Sequence, residues 1–530
     1  MVSELERNLI QRVAVGDIIR RQAGRLPDKE ALVEVRENRT VRLTYREFNA
    51  HTNRLGRALR ALGLRQGDRV ATVCANSAEF VITAYGLAKA GMVWVPVNPG
   101  LGPQDIKYIL NHSEARAVVV DDVLTRLVQG VAAELPLVEH FVYLPVTGAP
   151  VPERYREFWS CLELGAPDEI EDVIIRDRDL VQIMYTSGTT AAPKGVMLSH
   201  LSVFVVSLAN CIELEIFRDR VTSCLMPFFH AAQHTLTTSA FHAGAKVVVM
   251  RGFDATRVLE TVQREKITNL FMLPAMYRAL LDHPEFDCYD VSSVQHCIYA
   301  MTPMDQRTLE EAQARLGARF ALGTGQTEAY PSSNNFLPEW QLVKRGNYWG
   351  LSSPVFDTAV MDDEGRLLPR GQVGEIVWRS PAVMEGYWKD HAATEEGFKY
   401  GWRHSGDMGY FDEDGLLVFV DRKKDMIKTG GENVPSIKVE RVILSDPRVQ
   451  GCAVIGLPHP RWIEGVTAIV EPKPGAELTE QDIIDLCKRE LGGFEVPKAV
   501  IFVESLPRTT TGKVQKHVLR QQYHDYYGQQ

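Results

Sequence analysis

Several features that would place this 530-residue chain in other protein classes are missing from its sequence. No stretch approaches the roughly 18 apolar residues that a membrane-spanning helix needs. The longest apolar stretch, around residues 201–208, is interrupted by Ser202 and Ser207. Residues 1–21 mix acidic and basic side chains and contain no apolar core, so a secretory signal peptide is not expected. We therefore expect a cytoplasmic protein without a membrane span.

Paired cysteines and an excess of positive charge are also missing. The net charge of −9 argues against nucleic acid as the main partner, and anionic substrates would have to bind at local basic patches. No Cys-x-x-Cys pair occurs, which is typical of reduced, structural thiols in a cytosolic protein. The eight cysteines lie at positions 74, 161, 211, 224, 288, 297, 452 and 487.

The pattern of apolar residues alternates between helical and strand periodicity. Helical spacing over 45–62 and 77–90 alternates with strand-like segments at 70–74 and 93–97, and a further helix is predicted over 255–265. Strands that alternate with helices of this length form parallel sheets covered by helices. At about 150 residues per domain, the length indicates two to four folding units.

The pattern changes after residue 355. Short strands separated by Asp-Gly turns up to residue 420 predict a small antiparallel barrel or sheet. Beyond Arg422-Lys423-Lys424, helical patterns over 437–444 and 479–491 and strand patterns at 452–455, 466–470 and 499–503 predict an α+β domain. The second helix is expected to begin with a capping box formed by Thr479 and Asp482. The predicted fold class is α/β: a large N-terminal domain of helix-covered β-sheets with a β-barrel-like subdomain (1–421), a hinge (422–425), and a smaller, mobile α+β C-terminal domain (426–530).

One short segment, from Tyr185 to Gly195, combines hydroxyl side chains, a glycine and Lys194 directly after an apolar strand. Backbone N–H groups and hydroxyls in such a loop form a donor surface for phosphate oxygens, and the lysine adds positive charge. The segment is not a Walker A loop, because Pro193 and Gly195 flank the lysine where that motif requires Gly and Ser or Thr.

This loop resembles the phosphate-binding loop of the acyl-adenylate-forming superfamily, which includes acyl-CoA synthetases, firefly luciferase and the adenylation domains of peptide synthetases. Five further motifs resemble those of the family and occur in the family's order, covering about 44–520. They are Gly323-Thr324-Gly325-Gln326-Thr327-Glu328, Gly401-Trp402-Arg403-His404-Ser405-Gly406-Asp407, Asp421-Arg422-Lys423-Lys424-Asp425, Gly430-Gly431-Glu432-Asn433 and Thr511-Gly512-Lys513.

The resemblance implies the residues that bind ATP. Glu328 is expected to hold Mg²⁺ together with Thr190, Thr327 to contact the α-phosphate, and Asp407 to accept hydrogen bonds from the ribose hydroxyls, with Arg422 as a second contact. The full expected set for ATP and AMP is Thr186, Ser187, Gly188, Thr189, Thr190, Lys194, Ala300, Met301, Thr302, Gly323, Thr324, Gly325, Gln326, Asp407, Val420 and Arg422.

The resemblance also implies two half-reactions, for which ATP and coenzyme A (CoA) are required. Lys513 is expected to catalyse adenylation, and Lys424 is the expected pivot of the hinge; the other expected catalytic residues are Glu328, Thr327 and His230. Neither Gly430 nor Gly431 has a Cβ, so a pantetheine arm could pass close to the backbone there. The expected CoA-binding residues are Lys428, Gly430, Gly431, Glu432, Arg461, Trp462 and Lys498.

The acyl pocket is expected from the segment Pro227-Phe228-Phe229-His230, which is similar to a family segment that leads to this pocket. Its expected residues are largely neutral, which favours an uncharged tail that is of medium length, cyclic or aromatic. They are His230, Gln233, Ala300, Thr324 and Tyr330. His230 and His234 are also spaced as a metal-binding pair, but the sequence offers no third ligand nearby, and a packed core histidine is the other alternative.

Three departures from the family pattern make the substrate harder to predict than the reaction. Ala191 stands where most relatives carry glycine, and Tyr299-Ala300-Met301 replaces a segment that is usually Ser-Gly-Gly. Asn433 is followed by Val434-Pro435-Ser436 instead of the commoner aromatic-Pro arrangement. None of the three removes a candidate catalytic group.

Three functional hypotheses remain open. The first is an acyl-CoA ligase whose partners are a small carboxylic acid, ATP and CoA, acting as a monomer or homodimer. The second is an acyl-AMP ligase that transfers to the phosphopantetheine of an acyl carrier protein, or a stand-alone amino-acid adenylation domain. Phe228-Phe229-His230 lacks the Asp that would pair with an α-ammonium. The third is a nucleotide-binding pseudoenzyme, against which the presence of Lys194, Glu328 and Lys513 argues.

Overall fold

The computed structural model of the chain describes residues 2–36, 39–186, 192–300, 304–508 and 513–528. Its α-helices are α1 Glu4–Gln11, α2 Gly16–Arg25, α3 Tyr45–Ala61, α4 Ala78–Lys89, α5 Pro103–His112, α6 Thr125–Gln129, α7 Phe158–Leu162, α8 His200–Glu213, α9 Ala231–Ala243, α10 Ala255–Glu265, α11 Pro274–Leu281, α12 Gln306–Leu316, α13 His391–Gly397, α14 Ser436–Ile443, α15 Glu480–Glu490 and α16 Lys516–Gln522.

The first half of the strands covers the chain up to the middle of the sequence. They are β1 Glu30–Val35, β2 Thr40–Thr44, β3 Arg69–Val73, β4 Val93–Val97, β5 Ala115–Asp121, β6 His140–Leu144, β7 Arg156–Glu157, β8 Leu180–Thr186, β9 Lys194–Ser199, β10 Val221–Cys224, β11 Lys246–Val249, β12 Asn269–Phe271 and β13 His296–Tyr299.

The remaining strands cover the chain from residue 319 to residue 502. They are β14 Arg319–Thr324, β15 Asn334–Phe336, β16 Tyr348–Ser352, β17 Asp357–Met361, β18 Gly374–Arg379, β19 Gly386–Tyr387, β20 Arg403–Phe411, β21 Leu417–Arg422, β22 Ile427–Thr429, β23 Glu432–Val434, β24 Val449–His459, β25 Ile463–Pro472 and β26 Ala499–Phe502.

The described residues divide into two compact units. The larger unit contains residues up to 186, 193–358 and 378–403, and the smaller unit contains 359–377 and the residues from 404 onward. The structure thus groups 404–421 with the C-terminal residues. The hinge at 422–425 and the boundary beside it stay predictions.

Two sheets form the larger unit. The first has the strand order β19-β9-β8-β4-β3-β5-β6-β7, in which β3 to β8 are parallel neighbours and β9 is antiparallel to both β8 and β19. The second runs β16-β15-β14-β13-β12-β10-β11-β1-β2 and is parallel from β14 to β1. Parallel sheets with helical crossovers confirm the predicted α/β class.

Helix α4 shows how the two sheets share one interior. All its residues are buried, and it contacts both β1 of the second sheet and β4 of the first. A helix enclosed on every side must be apolar all round, and the sequence AEFVITAYGLAK largely satisfies this condition. Its two charged residues lie near the ends of the helix, where Lys89 Nζ donates to the amide oxygens of Asn49 and Asn53 at 2.5 and 2.6 Å.

The smaller unit contains an antiparallel set, β17-β18-β20-β21, and a separate sheet in the order β23-β22-β25-β24 with β26 parallel to β25. Successive side chains of a strand point to opposite faces. In β24, Val454 therefore packs against α14 and α15 residues such as Ile443 and Ile483, whereas Ile455 packs against Leu519 of α16. Helices thus cover both faces of this sheet, as predicted for an α+β domain.

Candidate functional site

Three of the predicted segments begin where parallel strands of the larger unit end. β10 precedes His230, β13 precedes Ala300, and β14 precedes Glu328. Because β10, β13 and β14 run parallel, their carboxyl ends meet at one edge of the sheet, where α/β proteins bind their ligands. Ala300 is partly buried there. The topology therefore gathers these segments at a common edge.

The predicted phosphate loop connects the antiparallel strands β8 and β9. Thr186 and Lys194 face each other in register where the loop begins and ends. Most of the residues between them lie outside the described residues. The predicted site residues that lie outside the described residues are Ser187, Gly188, Thr189, Thr190, Met301 and Thr302.

Lys194 and Glu328 contact the same phenol ring. The Nζ of Lys194 lies 5.1 Å from the ring centroid of Tyr387 and 3.9 Å from Asp390 Oδ2. The Tyr387 hydroxyl donates to Glu328 Oε1 at 2.9 Å, and an Arg403 nitrogen lies 4.0 Å from that oxygen. Burial, followed by the Glu328 carboxylate, raises the pKa of Tyr387, so the phenol stays a hydrogen-bond donor. A cation and a carboxylate thus contact the same tyrosine.

The backbone of the Glu328 turn is shaped by a glycine. Gly325 has φ of 155°, and a Cβ there would lie 3.0 Å from the backbone nitrogen of Ser332. The chain then forms the short 3₁₀ helix Thr327–Ala329, which carries Glu328. Thr324 Oγ1 donates to the carbonyl of Asn334 at 3.0 Å and fixes the end of β14. The same turn carries the partly exposed residues Gly323, Gln326 and Thr327.

His230 caps the amino end of α9 and stays partly exposed, with its Nδ1 accepting from Ala232 N at 3.3 Å. Burial lowers the pKa of His230, so the imidazole is neutral around pH 7. Gln233 on the next face is fully buried, and its amide bonds Met226 N at 3.1 Å and Thr237 Oγ1 at 3.1 Å. Gln233 therefore braces the segment before α9.

Tyr330 is fully buried, and its hydroxyl lies 2.5 Å from His234 Nδ1. Burial lowers the pKa of His234 to about 3, which keeps this imidazole neutral. No group of three or more His, Cys, Asp or Glu side chains suited to a metal ion occurs among the described residues.

The smaller unit places the predicted ribose contacts on neighbouring strands. Asp407 of β20 and Arg422 of β21 face each other in register, and Arg422 Nε lies 3.8 Å from Asp407 Oδ1. The backbone N–H of Asp407 donates to Ser405 Oγ at 3.0 Å, which fixes the backbone at Asp407. Val420, two residues before Arg422, is partly exposed on the same strand. A carboxylate and a guanidinium thus lie together at the end of a strand pair.

Lys513 lies in a basic environment of the same unit. Although the residue is exposed along part of its length, desolvation of the ammonium group and the nearby Arg422 and Lys424 lower the pKa of Lys513 to about 8, against the opposing effect of Asp407. Desolvation also lowers the pKa of Lys424, which is exposed along part of its length, and Arg422 adds to this effect. Both lysines therefore release a proton more readily than an isolated lysine.

Three of the predicted CoA-binding residues, Gly430, Arg461 and Lys498, lie beside Trp462. Gly430 has φ of 59° and donates its N–H to the Trp462 carbonyl at 2.8 Å, and a Cβ on Gly430 would lie 3.0 Å from the indole ring. Arg461 and Lys498 lie 4.6 and 5.7 Å from the indole centroid. Lys428, Gly431 and Glu432, on the hairpin of β22 and β23, are exposed. A partly exposed ring beside two cations suits an aromatic base that carries phosphates.

Comparison with known proteins identifies the family to which the chain belongs. The profile of the AMP-binding enzyme family matches residues 19–388, which is more than half of the chain. The profile of the AMP-binding enzyme C-terminal domain matches residues 438–513. The chain belongs to the AMP-binding enzyme family.

Individual relatives of this AMP-binding enzyme match over nearly their whole length. The long-chain-fatty-acid–CoA ligase FadD13 of Mycobacterium tuberculosis is 36% identical over 513 residues, which are 96% of this chain and 98% of FadD13. The fatty acid–[acyl-carrier-protein] ligase ScoC of Streptomyces coeruleorubidus is 35% identical over 494 residues, 92% of each chain. The crystal structure of ATP-bound MatB from Rhodopseudomonas palustris has a TM-score of 0.85 at 28% identity and covers 97% of this chain and 99% of MatB.

The AMP-binding enzyme also contains a buried residue that the sequence did not single out. Asn76 is 4% exposed, and its Nδ2 donates to the carbonyls of Met226 and Met250 at 2.9 and 3.1 Å. Its Oδ1 accepts from Phe228 N at 2.8 Å. Asn76 thus fixes the segment that leads to His230. The only local signal is its position between a strand and the helix cap Ser77.

Tyr387 was missed as well, because nothing near it in the sequence indicates chemistry.

None of the helices in the described parts of the chain is long and apolar enough to cross a bilayer.

Proposed function

We propose that this AMP-binding enzyme is an acyl-CoA ligase that uses ATP to activate a carboxylic acid and then transfers the acyl group to CoA. The observation that carries the proposal is that Lys194 and Glu328 both contact Tyr387, the first at its ring and the second at its hydroxyl. The triphosphate of ATP needs a cation for its oxygens, and its metal ion needs a hard carboxylate ligand. This pair supplies both at the loop that is expected to bind phosphates.

In the first half-reaction a carboxylate oxygen attacks the α-phosphorus of ATP. A new oxygen–phosphorus bond forms, the bond to the β-phosphate breaks, and pyrophosphate leaves. The enzyme must hold the reactants in line and neutralise the charge that develops. We assign phosphate contacts to Lys194 and Thr327 and ribose contacts to Asp407 and Arg422, which supply a cation, hydroxyls and acceptor oxygens of the kinds required.

Magnesium fits the residues that are present. The Glu328 carboxylate is accessible, and Tyr387 orients one of its oxygens at 2.9 Å. Carboxylate oxygen is the ligand that Mg²⁺ prefers, and bound Mg²⁺ neutralises part of the triphosphate charge. We assign Glu328 to this role, with Thr190, which lies outside the described residues, as the second predicted ligand.

In the second half-reaction the CoA sulfur attacks the acyl carbon, the carbon–sulfur bond forms, and AMP leaves as the acyl–oxygen bond breaks. We assign Lys513 to the adenylation step and the surface around Trp462, Arg461 and Gly430 to CoA. By resemblance to the family, the C-terminal domain pivots at Lys424 between the two steps. ScoC, with an acyl carrier protein in its name, supports the carrier phosphopantetheine as the second candidate acceptor.

The proposal is tested by measuring pyrophosphate release and thioester formation with a panel of carboxylic acids, with CoA or a carrier protein as acceptor. Glu328→Gln keeps the size of the side chain and removes its charge. We expect this variant to lose at least ~10²-fold in Mg²⁺-dependent pyrophosphate release, because a metal ligand is lost. The matched control is Glu339→Gln, at an exposed glutamate, which should stay at the wild-type rate. Equal rates for both variants would contradict the assignment.

A further inference from the structure

One face of α9 leads from the partly exposed His230 into the interior. His230, His234 and Thr238 are four residues apart and therefore lie on the same face of the helix. His230 is partly exposed, whereas His234 is 3% and Thr238 0% exposed. An acyl tail that enters beside His230 would extend along this face.

Tyr330 occupies the space beside the second turn of that face. Its backbone has φ of 39°, a region that bulky residues rarely adopt, and the ring is completely buried. Such a conformation persists only where the surroundings hold it, and it is often found at functional sites. Here the hydroxyl lies 2.5 Å from His234 Nδ1. The strained backbone thus holds the tyrosine against His234, on the face along which an acyl tail would extend.

Aromatic rings fill the space behind Tyr330 and His234. The His234 ring centroid lies 4.9 Å from that of Trp94, 5.2 Å from that of Phe228 and 6.1 Å from that of Tyr85. Tyr85 is tied to the helix by a 2.8 Å hydrogen bond between its hydroxyl and Thr238 Oγ1. From His230 to His234 the helix rises only about 6 Å. Beyond that distance the face is already covered.

We propose that the acid activated by this enzyme has a compact tail, short, branched or with a single ring, and that Tyr330 is the residue that closes the acyl site. This inference rests on the proposed function and adds the substrate class to it. A long-chain acid, as in the name of FadD13, would not fit this site.

The charge of the wall excludes one group of compact acids. The side chains around the Tyr330 hydroxyl are His234, Thr235, Thr238 and Gln182, and burial keeps His234 neutral by lowering its pKa to about 3. No charged group faces the hydroxyl among these. A second carboxylate in the tail would lose its solvation without gaining a partner. Compact monocarboxylates are therefore favoured over compact dicarboxylates.

The wild-type enzyme tests the inference directly. Thioester formation is measured with butanoate, 2-methylpropanoate, benzoate, octanoate, hexadecanoate and butanedioate. We expect the best of the three compact monocarboxylates to exceed hexadecanoate and butanedioate by at least tenfold in kcat/KM. Highest kcat/KM with hexadecanoate overturns the inference and leaves the proposed function standing. Absence of pyrophosphate release with every acid overturns both.

Variants then test the role of Tyr330. Tyr330→Gly relieves the positive φ and removes the ring, so the kcat/KM ratio of octanoate to butanoate should rise at least tenfold. Tyr330→Phe keeps the ring and should keep the wild-type ratio. The matched control is Tyr277→Ala. Tyr277 is also fully buried, but its hydroxyl donates to the carbonyls of Leu270 and Ile298 and not to a residue of α9. An unchanged ratio in Tyr330→Gly, or the same rise in Tyr277→Ala, overturns the assignment of Tyr330.

Discussion

Replacing Asn76 should destabilise the larger unit far more than the loss of one ordinary side chain. In Asn76→Ala the buried N–H of Phe228 loses its acceptor at 2.8 Å, and the carbonyls of Met226 and Met250 lose a donor at 2.9 and 3.1 Å. An unsatisfied buried polar group costs about 1–3 kcal/mol. For the three groups together we expect a loss of roughly 3–5 kcal/mol in the free energy of unfolding, since partial relaxation of the structure lowers the cost of each. At roughly 2 °C per kcal/mol for a large domain, we expect an apparent Tm lower by about 6–10 °C.

The matched control is Asn269→Ala in the same unit. Asn269 is 3% exposed, close to the 4% of Asn76, but its side chain accepts a single hydrogen bond, from Thr268 Oγ1 at 2.7 Å. Its loss should cost about 1 kcal/mol. Differential scanning fluorimetry of the first transition measures both variants. Equal decreases in Tm would refute the argument that Asn76 matters through its several backbone partners.

A second variant gives the prediction a pH signature. Asn76→Asp keeps the acceptor for Phe228 N but turns the donor toward the carbonyls of Met226 and Met250 into a second acceptor. Burial should raise the folded-state pKa of this Asp above its unfolded value of about 4. Stability is then fully present below pH 4 and is lost as the pH rises toward the folded pKa, by about 1.4 kcal/mol per pH unit. We expect Asn76→Asp to approach the wild-type Tm at pH 5 and to fall well below it at pH 8, and wild-type stability at pH 8 would refute the hydrogen-bond assignment.

Three further predictions concern catalysis. Tyr387→Phe keeps the ring beside Lys194 but removes the hydrogen bond to Glu328. Pyrophosphate release should therefore fall about tenfold or more, as expected for the loss of a charge-assisted hydrogen bond of ~1.5–3 kcal/mol. An unchanged rate would contradict the role of the phenol. Since the pKa of Lys513 is about 8, the adenylation kcat/KM should decline above pH 8 as the ammonium group loses its proton, and Lys513→Arg, which stays charged, should remove this decline at a lower absolute rate. Lys513→Ala should lose at least ~10²-fold in the rate of adenylation but still convert supplied acyl-AMP to thioester. Lys424→Pro should make acyl-AMP and stop before thioester formation. Equal loss of both half-reactions in both variants, with folding confirmed by circular dichroism, would contradict the pivot at Lys424.

Local patterns predicted several elements closely. The helix predicted over 255–265 is α10, and the capping box of Thr479 and Asp482 at the start of α15 has both of its hydrogen bonds. These features depend on residues three or four positions apart, which the sequence displays directly. Strands β24 and β25 extend further than their apolar segments at 452–455 and 466–470. The backbone pairing continues to the residue pairs Pro458 with Glu464 and His459 with Ile463, where no apolar pattern indicates a strand.

For the candidate site as well, the sequence predicted some features and not others. The family, the α/β class and the identity of Lys194, Glu328, Asp407 and Lys513 as candidates followed from motif types and their order along the chain. The roles assigned to these residues remain predictions. Residue types and their order along the chain can be read from the sequence alone.

Only the tertiary structure decided what these residues contact. Tyr387 lies 59 positions from Glu328, and Asn76 lies 152 positions from Phe228, so no local pattern connects either pair. The closure of the α9 face by Tyr330 and His234, 96 positions apart, is equally invisible in the sequence. Such contacts arise because parallel strands from distant parts of the chain end at one edge, and because close packing brings whichever side chains project there into hydrogen-bonding distance.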